Sequence, residues 1–269
     1  MIPWMSDTYS AVDDAADVHE ALVWQDRVDG WPQVRAYKAR SYQLLEGRSP
    51  VLDVGAGTGN DVVALGVGAV GTDLSAAMCQ EARRRGAVVC RGDAVHLPFA
   101  GESFGAVRAD RVLQHLAEPT DAIREMVRVT RRGGRVVVCD PDQESLVISV
   151  PGVSQDLADA VKQLRRDRGY RNGTLAARLP VAFGELGLGE ITVDAFPLVL
   201  RDPDDAFGLP GWVRYWGHAH PPAADIADVG DRGFTAEDVQ AWERGMELAR
   251  RDGQLVYALL YFVVSGRRS

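Results

Sequence analysis

Lysine is almost missing from this sequence: Lys38 and Lys162 are the only two, so nearly all the basic charge is arginine. Acidic side chains outnumber basic ones by 38 to 30, for a net charge of −8. That balance argues against non-specific nucleic-acid binding, which needs a basic footprint. No apolar run approaches the roughly 18 residues a membrane-spanning helix requires. Met1 to Ser10 lack the basic-then-apolar pattern of a secretory signal, so a cytoplasmic protein without a membrane span is expected. The three cysteines, Cys79, Cys90 and Cys139, lack metal-ligand spacing and read as small buried thiols. His218 and His220 lie two apart with no third ligand, so no metal site is expected. Low-complexity tracts and internal repeats are likewise missing. The 269 residues suffice for one large α/β domain with a full core.

What is present is a strand–turn–helix centred on Ser49 to Asp61. Val51, Leu52 and Val54 supply apolar strand formers, and Gly55, Gly57 and Gly59 then break the pattern. Glycine permits positive φ and lets a ligand lie against the backbone. A short helix is expected near Asp61 to Leu65, capped by Thr58 or Asn60. A second apolar run, Val67 to Thr72, ends at Asp73, with Leu74 beside it. Asp73 lies about twenty residues past the first glycine, the spacing that sets an acidic side chain on a ribose diol. The glycines run G-x-G-x-G rather than the G-x-G-x-x-G of a dinucleotide site, and Asp53 precedes them. A carboxylate there suits a cationic ligand or an ammonium group better than a pyrophosphate.

With its acidic-x-G-x-G-x-G pattern the stretch resembles the first motif of the class I S-adenosylmethionine (SAM)-dependent methyltransferases. The Gly92-Asp93-Ala94 segment is similar to the family's adenine loop, which implies Asp93 on the exocyclic amine and the Ala94 N–H on a ring nitrogen. The run Glu125 to Pro141 follows the family pattern as well. The nearest resemblance is to the ubiquinone/menaquinone-biosynthesis-like and natural-product branch. It implies SAM as cofactor, held by Asp53, Gly55, Gly57, Gly59, Asp73, Leu74, Asp93, Ala94 and Arg111.

Alternating strands and helices up to residue 140 specify a doubly wound parallel sheet. The expected fold is α/β, and the resemblance implies a Rossmann-like, seven-stranded, mostly parallel sheet with helices on both faces and the last strand antiparallel. The fourth strand is expected to begin at Ser103 and run on to Leu116; the fifth, Arg135 to Cys139, should stop at Asp140-Pro141-Asp142. The sixth and seventh are expected over 190–200 and 254–264. The chain divides into an N-terminal helical cap (1–48), a SAM-binding core (49–145) and a C-terminal part (146–269) carrying an insert at 201–253. A connection that long is usually functional or disordered. Its aromatic content suggests a lid over the acceptor; a patch on the sheet edge or at a dimer interface is the alternative. Substrate contacts are expected from Trp24 and Tyr37 in the cap and from Trp212, Tyr215 and Trp216 in the insert.

Methyl transfer to oxygen or activated carbon requires loss of a proton, and the unperturbed pKa of histidine suits a base, which makes His115 the candidate. In enzymes resembling this chain, a histidine in the "LQH" position and an aspartate after the fifth strand can form a pair, which implies His115 and Asp140 here; the alternatives are a structural His115 bonded to backbone and an Asp140 that binds the acceptor. Arg111 could hold an acceptor anion, or pair with Asp110 or Asp140. The expected function is methyl transfer to a small-molecule acceptor in secondary metabolism, by a monomer or homodimer that binds no nucleic acid. A SAM-binding, non-methylating enzyme such as a cyclase and a nicotinamide oxidoreductase are the alternatives.

Overall fold

The computed structural model describes residues 18–219 and 234–269. Two helices come first, α1 (Val18–Asp29) and α2 (Pro32–Gln43), divided at Gly30-Trp31 with a proline in the first turn of α2. The glycine stretch gives β1 (Val51–Val54) and α3 (Asn60–Leu65). Next come β2 (Ala69–Asp73), α4 (Ala76–Arg84), β3 (Val89–Arg91), β4 (Phe104–Asp110), α5 (Pro119–Val129) and β5 (Thr130–Ser149). The C-terminal part holds α6 (Gln155–Arg168), α7 (Leu179–Glu185), β6 (Leu188–Leu200), α8 (Leu209–Ala219), α9 (Ala236–Asp252) and β7 (Val256–Arg268). No helix among the described residues is long and apolar enough to cross a membrane.

The seven strands form one sheet in the order β3-β2-β1-β4-β5-β7-β6. Strands β1 to β5 pair in parallel, and β7 runs antiparallel to both β5 and β6. Helices cover both faces, which is why β1 is buried at every position rather than at alternate ones. The pleat sends neighbouring residues to opposite cores. Ala106 and Val137 pack with α1, α2, α6, α8 and α9; Val107, Val136 and Val138 pack with α5 and α7. Ser75 caps α4 by accepting from the Met78 N–H, and Thr235 and Asp238 form a capping box on α9.

Three local expectations are corrected. Strand β4 stops at Asp110 instead of reaching Leu116, because Arg111 takes a left-handed conformation (φ 58°) and a 3₁₀ turn, Leu113–His115, follows. Strand β5 does not stop at Pro141. Its pairing with β4 ends at Cys139, so beyond that point it is bonded on the β7 side alone. Proline is tolerated where one side of a strand needs no donor. Helix α3 is capped by neither Thr58 nor Asn60: Gly59 stands at its N-cap without a side-chain bond, and the Asn60 amide reaches across to Asp26 and Asp29.

The N-terminal helices are fastened to the sheet by buried charge. Arg108, in the middle of β4, is fully buried and faces α2. Its guanidinium meets Asp53 of the neighbouring strand at 2.7 Å, Asp61 of α3 at 3.1 Å and Asp110 at 3.1 Å. Its Nε donates to the Ser41 hydroxyl of α2 at 3.0 Å. Lys38, one turn back on α2, binds Asp29 at 2.8 Å, Asp61 at 3.0 Å and Asp110 at 3.4 Å. Tyr42 donates to Asp61 and Tyr37 donates to Asp110. Removing one member of such a cluster leaves buried charge uncompensated, at a cost of about 3–5 kcal/mol. Arg108→Met is expected to lower the unfolding free energy by about that amount in urea titrations. An unchanged midpoint would show that the cluster contributes nothing to stability.

Candidate active site

A cavity of ≈ 270 Å³ opens at the carboxyl ends of β1, β2, β4 and β5, the usual ligand position in an open α/β sheet. One end is polar. Gly55, Gly57, Asp73, Leu74, Asp93 and Ala94 line it. The Asp73 carboxylate accepts the Gly57 N–H at 2.8 Å and the Ser75 N–H at 2.9 Å, so it braces the glycine turn from across the strand. At Gly57 (φ 51°) a Cβ would strike the amide of Gln25, which reaches over from α1. Gly59 serves another purpose. A Cβ there would lie 2.8 Å from Ala82 and 2.7 Å from Ala87, so its absence lets α4 and the chain leading into β3 close on the turn. Gly59 does not line the cavity.

The middle of the cavity is built by the segment after β4. Arg111 holds its left-handed conformation, a strained one for a residue with a Cβ. Two bonds maintain it: its N–H donates to the Cys139 carbonyl at 2.7 Å, and its guanidinium meets Asp29 of α1 at 2.5 Å. The choice between Asp110 and Asp140 as its partner is thus decided mainly for Asp29, with Asp110 at 3.9 Å. His115 lines the cavity from the 3₁₀ turn rather than from a strand end, its ring 5.7 Å from that of Tyr170. Asp140 is fully buried beneath this turn and does not line the cavity. Its Oδ2 accepts the Leu113 N–H at 3.2 Å. Burial, and then the nearby Asp110 carboxylate, push the Asp140 carboxyl well above the usual range. Through its bond to the Leu113 N–H, Asp140 supports the backbone of the turn that carries His115. Asn172 supports it from the other side, donating its N–H to the Gln114 carbonyl at 3.0 Å and its amide to the Leu116 carbonyl at 2.5 Å.

The far end is aromatic. Trp24, Tyr170, Phe207, Tyr257 and Tyr261 line it, and Arg165 enters from α6. Trp24 meets Trp31 edge-on at 5.9 Å and Phe207 at 5.7 Å, joining the N-terminal helices to the insert. Trp24 thus lies where a substrate contact was expected. Tyr37 does not: it stacks on Tyr261 at 4.7 Å, outside the cavity lining. Trp212 is buried behind Arg165, with its Nε1–H donating to the Phe207 carbonyl at 3.3 Å. Among the described residues of the insert, Phe207 lines the cavity, while Leu209, Val213, Trp242 and Met246 pack into the core. The side chains of Tyr215 and Trp216 lie outside the described residues, as do His220 and the side chain of His218.

Asp53 is the other displaced residue. It lies against Arg108 within the core and does not border the cavity. Alternation along β1 turns its side chain toward α2, away from the turn it precedes. Burial, opposed by Arg108 and reinforced by Asp61, pushes its carboxyl up to about 7. Asp61 goes the opposite way, held low by Arg108 and Lys38 against its own burial. Asp53, Asp61, Asp110 and Asp29 face Arg108, Lys38 and Arg111.

Sequence reasoning missed Arg165, Tyr170, Gln143 and Gln25. Arg165 had a legible signal: it falls on the stripe of Leu157 and Val161 at i, i+4 and i+8, on the buried side of α6. Its setting in Leu164-Arg165-Arg166-Asp167-Arg168 disguises it as a solvated charge run.

Residues 52–138 match the family model described as a methyltransferase domain. An uncharacterized 37.1 kDa protein of transposon Tn4556 from Streptomyces fradiae is 33% identical over 210 residues, covering 73% of this chain and 60% of that protein. The demethylmenaquinone methyltransferase of Mycobacterium sp. strain KMS is 43% identical over 93 residues, 34% of this chain and 40% of that enzyme. The chain thus spans less than two thirds of the length of these curated relatives. Among solved structures, a SAM-dependent methyltransferase from Thermotoga maritima superposes with a TM-score of 0.56 at 18% identity, covering 94% of this chain and 96% of that one. At that identity the likeness concerns the fold.

The upward shift of the Asp53 carboxyl predicts a pH dependence. Its carboxyl is raised from 3.8 to about 7 on folding, so the folded chain holds more protons than the unfolded chain between those values. Stability then falls as pH rises through that interval. Asp53→Asn removes this contribution, and its urea midpoint should fall less than that of the wild type between about pH 5 and about pH 8. An equal fall in both proteins would assign the proton elsewhere in the cluster.

Proposed function

We propose that this chain, which matches a methyltransferase domain over residues 52–138, transfers a methyl group from SAM to an oxygen or carbon of a small organic acceptor. One observation carries the reading. A single cavity joins the glycine turn and two acidic loop positions at one end to an aromatic chamber at the other, with His115 between them.

The polar end fits the cofactor. Asp73 and Asp93 present acceptors, as a ribose diol and an exocyclic amine require. Ala94, Leu74 and Met78 supply apolar walls for a flat base. The Thr72 hydroxyl is buried at the cavity wall with no partner among the described residues, so a polar group is available toward a ligand. SAM supplies an electrophilic methyl on a sulfonium. The protein's part is alignment of an acceptor atom with that methyl, which is worth most when the approach is near in-line. His115 receives the acceptor's proton in this reading, and Asp140 and Asn172 hold its turn in place. The fit of the aromatic chamber is to an apolar body small enough for the space beside the cofactor. A role in secondary metabolism is consistent with such a chamber, and demethylmenaquinone methyltransferase, an enzyme this chain resembles over 93 residues, is compatible with an apolar acceptor.

The test is incubation with SAM and with methyl-deuterated SAM in extract of the source organism, read by mass spectrometry. A product pair separated by the isotopic methyl is the expected result. SAM binding with no such pair, and no S-adenosylhomocysteine formed, would support non-methylating use of the fold. Asp73→Ala should weaken S-adenosylhomocysteine binding in calorimetry; unchanged affinity would remove Asp73 from the cofactor site. His115→Ala should lower turnover by about 10²-fold or more while leaving that affinity intact. Full activity in this variant would end the base assignment.

A further inference from the structure

Among the described residues, Arg165 is a buried cation with no counter-ion. It lies on α6, is 1% exposed, and borders the aromatic end of the cavity. Its three hydrogen-bond partners are neutral. Nε donates to the Gln143 Oε1 at 3.3 Å, Nη1 to the Phe207 carbonyl at 3.2 Å and Nη2 to the Tyr170 hydroxyl at 3.0 Å. Rings surround it, with Trp212, Tyr257, Tyr170 and Phe207 centred 5.2, 5.4, 5.5 and 5.8 Å from the guanidinium carbon. Among the described residues it forms no ion pair, whereas Arg108, equally buried, has three carboxylates. The Tyr257 hydroxyl beside it is buried as well and makes no hydrogen bond of standard geometry.

Burying an uncompensated charge is costly, and aromatic faces recover a fraction of that cost. A site that holds a guanidinium in a preformed fork of five donors, three of them engaged, is prepared for a planar oxyanion. We propose that Arg165, with the Tyr257 hydroxyl, binds an anionic oxygen group on the methyl acceptor: a carboxylate, or the oxyanion of an acidic phenol or enol, carried on an apolar ring or chain. The aromatic walls take the apolar body, and the guanidinium takes the charge. The Tyr170 ring lies between the two polar ends of this chamber, bonded to Arg165 and 5.7 Å from the His115 ring. An acceptor anchored at Arg165 therefore presents its opposite end toward His115 and the polar half of the cavity. The word acceptor rests on the methyltransferase reading; the anion site itself does not.

The test uses the full chain and two matched probe pairs, benzoate against benzamide and 4-nitrophenolate against 4-nitroanisole, followed by calorimetry or ligand-observed NMR. The expected result is that the anions bind and their neutral partners bind at least about tenfold more weakly. Preference for benzoate alone would assign a carboxylate, and preference for 4-nitrophenolate alone an acidic hydroxyl. Arg165→Met should abolish the preference and Arg165→Lys should keep part of it. Arg165→Met removes the donor from three neutral acceptors but leaves no carboxylate unpaired, so its urea midpoint should fall less than that of Arg108→Met. Equal binding of anion and neutral probe, or an unaltered preference in Arg165→Met, would overturn the proposal. So would a strong loss of stability in Arg165→Met with S-adenosylhomocysteine binding lost, since that pattern marks a purely structural arginine. Failure of the wild type to bind S-adenosylhomocysteine would count against the methyltransferase reading, and the anion preference would remain a separate result.

Discussion

The buried charge cluster around Arg108 is the constraint on which the site depends. Arg108 and Asp53 are direct neighbours across β4 and β1, Asp61 comes from the helix after the glycine turn, and Lys38 and Ser41 come from α2. Charges removed from water must all find partners together, because in a poorly polarisable interior one orphan costs more than several good contacts return. The cluster therefore sets where α2 lies against the sheet. Through Lys38 and Asp29 it also sets α1, and Asp29 in turn holds Arg111. The strained backbone at Arg111 and the wall built by Trp24 and Gln25 are consequences of that arrangement.

Two arginines in one core show two uses of the same side chain. Arg108 is saturated with carboxylates, and its role is architectural. Arg165 is wrapped in rings and neutral acceptors, and it borders empty space. The contrast explains how one cavity holds two kinds of environment. At the polar end, acidic side chains and backbone donors are fixed by the ends of β1 and β2. At the aromatic end, side chains from β7, α6 and the insert converge on one cation. His115 stands between them on a turn held from below by Asp140 and from the side by Asn172.

Much of the polar end was legible along the chain. Gly55, Gly57, Asp73, Leu74, Asp93, Ala94 and Arg111 all border the cavity, because a strand followed by a glycine turn localises its own end. The parallel α/β alternation was also readable from the hydrophobic patterns, and the antiparallel last strand from the family resemblance. Asp53 and Asp140 were misjudged for one shared reason. Each lies within a strand next to the site, where position along the chain is known but the facing partner is not. Tyr37 and Trp212 were misjudged because an aromatic side chain near a site can fill the core beneath it equally well. Arg165 was passed over because a buried cation in an Arg-rich helix looks like its solvated neighbours.

The sequence by itself determined the elements and the glycine turn, since hydrophobic period, capping residues and positive-φ positions are local properties. It also determined which loops meet at the sheet's carboxyl edge, since parallel β-α alternation leaves one edge for them. Tertiary structure alone decided which charges are paired and which are not. Arg108 and Arg165 are the same residue type, both on apolar periodicities, and only the residues brought from distant parts of the chain distinguish them. Asp53, Asp61 and Asp110 converge on the first; Gln143, Tyr170, Phe207 and Tyr257 converge on the second. Pairing is a contact between segments far apart in sequence, so no local pattern can encode it.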